Sequence, residues 1–197
     1  SGANIKNMGI NIAPRFLIAL GVSGCLITRG TDLSAGRMAG LGACIAGTLL
    51  QTAGYSQKFF PEMGDMNMFL VLLIAMAVCG VFGLLSGAVI SILKVPPFIT
   101  TLGVQTIVYG VCLVYTGAIP LGGYRKDYTA LASSISLGPI PLFVIIAALV
   151  GLFMWFLYNK TKHGKYMYAI GGNETAAEVS GVNVKKTIII IYTMAAM

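Results

Sequence analysis

Charge is what this sequence has least of. Only 10% of its 197 residues are Asp, Glu, Lys or Arg, against 57% hydrophobic, and the mean hydropathy is +0.86. A water-soluble domain carries roughly 25% charged residues. So sparse a polar complement excludes an ordinary soluble fold and indicates an integral membrane protein. A phosphate-binding G-x-x-x-x-G-K-[ST] loop is also missing. Gly164-Lys165 has Asn159 at the first glycine position and Tyr166 after the lysine, so the chain is not expected to hydrolyse ATP. The single histidine, His163, has no carboxylate or nucleophile near it in sequence and reads as a surface residue. Cys25, Cys44, Cys79 and Cys112 each fall in a different apolar run. With no CxxC or Cys/His spacing they are expected to be small apolar residues, not metal ligands. No run of Asp, Glu or His crosses an apolar segment, as proton-driven transport usually requires; Arg15 reads as the one charge inside a span. No secretory signal pattern is visible. The net charge of +7 lies in short loops without interleaved aromatics, so a nucleic-acid partner is not expected.

What is present is a series of long apolar runs. A membrane-spanning helix needs about 20 mostly apolar residues. Five runs satisfy this, at 8–28, 35–53, 68–93, 98–119 and 140–158, and a sixth opens near Thr187. None alternates in the manner of a porin-type strand. The expected fold class is therefore all-α: a polytopic transmembrane helical bundle with five complete spans and the start of a sixth. The chain opens on Ser-Gly and stops at Met197 within an apolar run, so it is expected to be a fragment. Gly80, Gly83 and Gly87 share one helical face, and Gly36 and Gly40 form a second small-xxx-small pair. Both are expected to be close helix-packing surfaces.

Basic residues set an expected orientation. Placing 159–186 in the cytoplasm puts Lys160, Lys162, Lys165, Lys185, Lys186, Lys94, Arg29 and Arg37 on that side. Lys58, Arg125, Lys126, Lys6 and Arg15 fall opposite. The outer 120–139 segment, with Pro120, Gly122, Gly123 and Pro139, reads as compact turns.

The segment 159–186 reads as a basic, glycine-punctuated loop holding one short helix. Asn173 is a good N-cap, Glu174 suits the first turn, and Gly181 suits the C′ position. Gly171-Gly172 reads as a sharp approach to that helix. The small residues Ala176, Ala177 and Ser180 suggest a face that fits a partner's groove. Earlier in the chain, Asp32 or Ser34 is expected to cap the helix that opens near Ala35, with a gate or pathway role for Asp32 as the alternative. Thr100, Thr101 and Gln105 are polar positions in one span. The two hydroxyls are expected to bond to their own backbone.

Three stretches carry a resemblance. His163-Gly164-Lys165 followed by AIGGNETAAEVSGVNV at 169–184 resembles the cytoplasmic coupling segment of sugar-import ABC permeases of the ribose/galactose type. ITRGTDLSAG at 27–36 is similar to that family's G-x-D-L-S-x-G signature, and VPPFITTLG at 95–103 matches a third motif. GTDLSAGR and the 58–63 string look most like the galactose/methyl-galactoside branch, and Thr31, where most relatives carry isoleucine, agrees. The likeness runs from about residue 8 to 197. It implies a partial ABC permease transmembrane domain in a bacterial inner membrane, working in ATP-driven monosaccharide import. The implied partners are a second permease chain, a cytoplasmic ABC ATPase, an extracytoplasmic sugar-binding protein and membrane lipid. No cofactor is implied in this chain; ATP and magnesium would sit on the ATPase. Gly171, Gly172, Asn173, Glu174, Ala176, Ala177, Ser180 and Gly181 would belong to the ATPase contact. Asp32, Ser34, Thr100, Thr101 and Gln105 are the candidates along the substrate pathway. The rival expectation is a secondary transporter or channel for a small polar solute, without an ATPase.

Overall fold

In the computed structural model, residues 2–133, 136–137 and 140–197 are described. Ser1 and Pro139 lie outside the described residues. Helices carry the fold: α1 (Gly2–Ile27), α2 (Ala35–Leu49), α3 (Met68–Ile92), α4 (Pro97–Thr116), α5 (Lys126–Ser133), α6 (Leu142–Lys160), α7 (Lys162–Gly172), α8 (Glu174–Val179) and α9 (Val184–Ala196). The one sheet among the described residues is an antiparallel pair of two-residue strands, β1 (Ser136–Leu137) and β2 (Ile140–Pro141), between α5 and α6.

Among the described residues, four helical stretches are long and apolar enough to cross a membrane: Lys6–Ile27, Met68–Ile92, Pro97–Thr116 and Leu142–Lys160. These match four of the five expected spans. The fifth, expected at 35–53, is a helix of 15 residues. At about 1.5 Å per residue it covers roughly 22 Å, short of the ~30 Å hydrocarbon layer. It starts where expected but stops at Leu49, and just beyond that end Gln51 pairs with Tyr124. The buried Gln51 side chain donates to the Gly122 carbonyl and accepts from the Phe59 amide, tying two loops together there.

The lipid-facing character of the long helices is visible in what stays uncovered. On α6, Leu149, Leu152, Phe153, Trp155 and Phe156 are exposed, while only Ala147 and Met154 are recorded as buried. A helix apolar on all sides suits a bilayer. Within the bundle, α3 packs closely on α9. A Cβ added at Gly83 would lie 2.6 Å from Ala196 Cβ, and one at Gly87 would lie 2.7 Å from Ile189 Cα. Only glycine lets two backbones approach so closely. Gly36 and Gly40 differ from expectation: among the described residues no atom lies within 4 Å of a Cβ built at either. That side of α2 is uncovered.

The 159–186 segment is more ordered than its sequence suggests. Its first part is a helix of 11 residues, α7, which the glycines and lysines disguise. The Thr161 hydroxyl caps it by accepting from the Gly164 amide. Gly164, Met167 and Ile170 bury its apolar side. Gly171 and Gly172 finish this helix and do not form a turn. The turn is made by Asn173, in extended conformation.

Candidate functional site

The three motif-bearing stretches come together where α1 and α3 end, against α7 and α8. The α8 helix is closed at both ends. The Asn173 side chain accepts from the Ala176 amide at 3.0 Å. Gly181 adopts φ +85°, its amide reaching the Glu178 carbonyl while Val182 reaches the Ala177 carbonyl. This double bond is the Schellman arrangement, and it satisfies carbonyls that a six-residue helix otherwise leaves to water.

Two basic residues reach this unit from the turns opposite. Arg29 ends α1 in the left-handed region at φ +61°, and Lys94 ends α3 at φ +56°. Side chains other than glycine and asparagine rarely adopt this conformation. Each is put to use: the Arg29 guanidinium donates to the Gly172 carbonyl at 2.8 Å, and Lys94 Nζ meets Glu174 Oε1 at 3.0 Å. Such strain is characteristic of sites where direction matters more than stability. Between these contacts lies an open groove of about 310 Å³, bordered by Arg29, Lys94, Pro96, Glu174 and Tyr192. Beneath it, Cys25, Ile90, Met167, Ile170, Ala177 and Tyr192 form one buried cluster, so α7 and α8 share a core with α1, α3 and α9.

The ITRGTDLSAG turn is also fixed. Asp32, 8% exposed, accepts through Oδ1 from both the Ser34 amide (2.8 Å) and the Ser34 hydroxyl (2.6 Å). Neither residue caps α2 in the expected way, since Ser34 stands at the N-cap position without a side-chain bond into the first turn. The carboxylate instead holds the turn that leads into the helix. Tyr192 of α9 donates to the Thr31 carbonyl at 3.3 Å, and the Leu33 amide donates to the Thr101 hydroxyl of α4 at 3.3 Å. Thr101 and Thr100 also bond to their own helix, through the Pro97 and Pro96 carbonyls. Gln105 is half-buried and has no hydrogen-bond partner among the described residues.

Of the coupling candidates, Gly172, Asn173, Glu174, Ala176, Ser180 and Gly181 are exposed. Ala177 faces the chain's own core at 5% exposure, so it is not on an open face with Ala176 and Ser180. Gly171 is pressed against the Ile27 carbonyl. Val179, 85% exposed, is the large apolar side chain that α8 presents outward. Arg29, Lys94 and Tyr192 were not among the sequence candidates. The two cations read as topology signals, and Tyr192 sat in a stretch that read as lipid-facing. His163 is half-buried beside Tyr158 and Met167, so it is not the surface residue expected, and its buried Nε2 has no partner among the described residues. Desolvation lowers its pKa from the ordinary value.

A chain built almost wholly of helices, with four apolar spans among the described residues and a braced helical unit at one end, has the form of a membrane transport component. A family described as "Branched-chain amino acid transport system / permease component" matches residues 4–197, and the chain belongs to it. It is a multi-pass protein of the bacterial inner membrane. Among curated proteins it is 45% identical over 197 residues to the galactose/methyl galactoside import permease protein MglC of Escherichia coli K12, covering 97% of the chain. Identity is 42% over 200 residues, 98% of the chain, to the protein of the same name from Haemophilus influenzae. The ribose import permease protein RbsC of Escherichia coli K12 is 28% identical over 97% of the chain. The chain spans 59%, 60% and 57% of the length of these three relatives. No solved structure matches it.

Proposed function

We propose that the chain is the larger part of the transmembrane subunit of an ATP-driven monosaccharide importer, with galactose or a methyl galactoside as substrate. The family description names branched-chain amino acids, but the 45% and 42% identical relatives are named for galactose and methyl galactoside. In this reading the 15-residue α2, within the apolar run 35–53, counts as a crossing. With the four long apolar helices this makes five complete crossings, and α9 opens a sixth. A second permease chain, a cytoplasmic ATPase carrying ATP and magnesium, and an extracytoplasmic sugar-binding protein complete the assembly.

The observation that carries the reading is the brace on α8. A coupling element must pass displacement to the spans without absorbing it. Here α8 is capped at both ends, shares a buried core with α9 and is tied to the end of α3 through Lys94, while Arg29 holds Gly172, the last residue of α7 just before it, to the end of α1. The ATPase would meet Ala176, Val179 and Ser180 on the exposed side.

The test is uptake by the full-length protein reconstituted with its ATPase and binding protein. Glu174→Arg combined with Gly181→Trp should abolish ATP-dependent galactose uptake; wild-type uptake would sink the coupling assignment. Galactose flux through liposomes holding the permease alone would support a channel or secondary transporter instead. A cysteine at position 162 should resist an impermeant reagent added outside intact cells. Ready labelling would invert the orientation.

A further inference from the structure

The α2–α4 face holds a cation where a bilayer should not tolerate one. Arg37 lies in the first turn of α2, which begins inside the bundle. The Leu33 amide just before it is level with Thr101, one turn into α4. Its guanidinium reaches further and lies over the Tyr109 ring, 4.4 Å from the centroid. Tyr109 is past the midpoint of α4, roughly 18 Å from Pro97 at about 1.5 Å per residue. The side chain thus leans toward the centre of the span, not out to the nearer surface. It is exposed and has neither a carboxylate nor a hydrogen-bond acceptor among the described residues. A charge at that depth faces protein or water, not lipid tails.

The surroundings favour water. Among the described residues no atom lies within 4 Å of a Cβ built at Gly36 or Gly40, the latter three residues on from Arg37 and on the same side. On α4, Gln105 lies one turn before Tyr109 with an unused amide, and Thr106 is exposed. Unpaired donors beside an aromatic ring along a span suit a neutral polyhydroxylated solute. Its hydroxyls accept from guanidinium and amide, and its C–H face packs on an aromatic ring.

We propose that Arg37, Gln105 and Tyr109 line a water-filled stretch of the translocation path and contact the passing sugar. This rests on the sugar-import reading above. It also moves the pathway candidates: Thr100 and Thr101 spend their hydroxyls on backbone, and Asp32 and Ser34 hold a turn.

The experiment uses the full-length protein with its partners, with Cys25→Ala, Cys44→Ala, Cys79→Ala and Cys112→Ala as background. Gly40→Cys and Thr106→Cys are each treated with a hydrophilic thiol reagent, with and without galactose, beside the lipid-side control Leu152→Cys. Both should react, the control should not, and galactose during turnover should slow the reaction. Separately, Arg37→Gln should raise the half-saturating galactose concentration for uptake by about tenfold, the loss of one charge-assisted hydrogen bond. Two cysteines as inert as the control would overturn the aqueous face, whatever the uptake. Reactive cysteines that galactose never slows, with unchanged half-saturation in Arg37→Gln, would overturn the sugar contact. A wild-type protein that imports no galactose would remove the functional reading and the sugar assignment together, and labelling would still decide the aqueous face.

Discussion

On α3, Gly80, Gly83 and Gly87 meet the backbone or side chains of α9 and of Met197 just after it, whereas on α2, Gly36 and Gly40 meet no atom of the described residues. The two stripes have the same spacing logic and opposite surroundings. Small residues let a helix be approached closely, but they do not supply the approaching partner. What separates the two faces is the company the glycines keep. The α3 stripe is flanked by Val, Phe, Leu and Ile and is met by the 189–196 part of α9, which carries no charge. The α2 stripe is interrupted by Arg37, whose charge cannot be shut into a close apolar seam without a counter-ion. The first face is therefore a joint, and the second is a wall.

The sharpest way to break this comparison is to put the same bulk on both faces. In Gly83→Leu the new Cβ would meet the Tyr192 carbonyl oxygen at 2.5 Å and Thr193 Cα at 2.9 Å, backbone atoms that cannot swing aside. Overpacking of this kind costs about 3 kcal/mol or more, and the detergent-solubilised protein should show a correspondingly lower Tm or fail to accumulate. Gly40→Leu meets no atom and should leave Tm unchanged or raise it slightly, since glycine is about 1 kcal/mol worse than alanine within a helix. Equal losses in both variants would mean that the α2 face is as closed as the α3 seam.

A second, smaller effect tests the element that joins the two regions. Residues 31–33 are held by Tyr192 on the closed side and by Thr101 on the open side, and Asp32 fixes the turn between them. Asp32→Ala strips the acceptor from a buried amide and a buried hydroxyl, a loss of about 1–3 kcal/mol. Asp32→Asn keeps an acceptor and should lose less, as read from the ordering of the two Tm values.

How much of this was legible beforehand follows from the kind of interaction involved. Long apolar runs are summed over many residues, so four spans were placed to within a few positions. The α8 caps were legible because Asn173 and Gly181 act on neighbours in sequence. The brace was not, because Arg29 to Gly172 and Lys94 to Glu174 join positions far apart in the chain. The α7 helix was hidden because Gly164 and Gly171, which read as breakers, are close-approach positions against the Tyr158 and Ile27 carbonyls. Arg37 read only as a charge on the cytoplasmic side, because its contact with the Tyr109 ring joins positions far apart in the chain.

The Lys94–Glu174 pair offers a third effect, small in stability and larger in transport. Its side chains are 61% and 49% exposed, so breaking it should cost no more than about 1 kcal/mol. Lys94→Glu should nevertheless reduce ATP-driven uptake in the reconstituted system, and adding Glu174→Lys should restore much of it. Restoration would assign the pair a role in the brace. No recovery in the double variant would leave Lys94 acting through some other contact.

The smallest expected effect lies on the closed side, at His163. Its Nε2 is buried without a partner near Tyr158 and Ile191, and desolvation holds its pKa below the ordinary 6.5. The unfolded chain therefore takes up a proton at a higher pH than the folded one. Above about 6.5 both states are neutral and the full stability is present. As pH falls below that value the unfolded state binds the proton first, and stability drops until the folded-state pKa has been passed. Between pH 7 and 5 the wild-type Tm should fall more than that of His163→Gln, which cannot titrate there, and the difference should be smaller than the effects above. Parallel curves for the two proteins would mean that His163 is solvated in the folded state, and that the closed side is more open around α7 than its packing indicates.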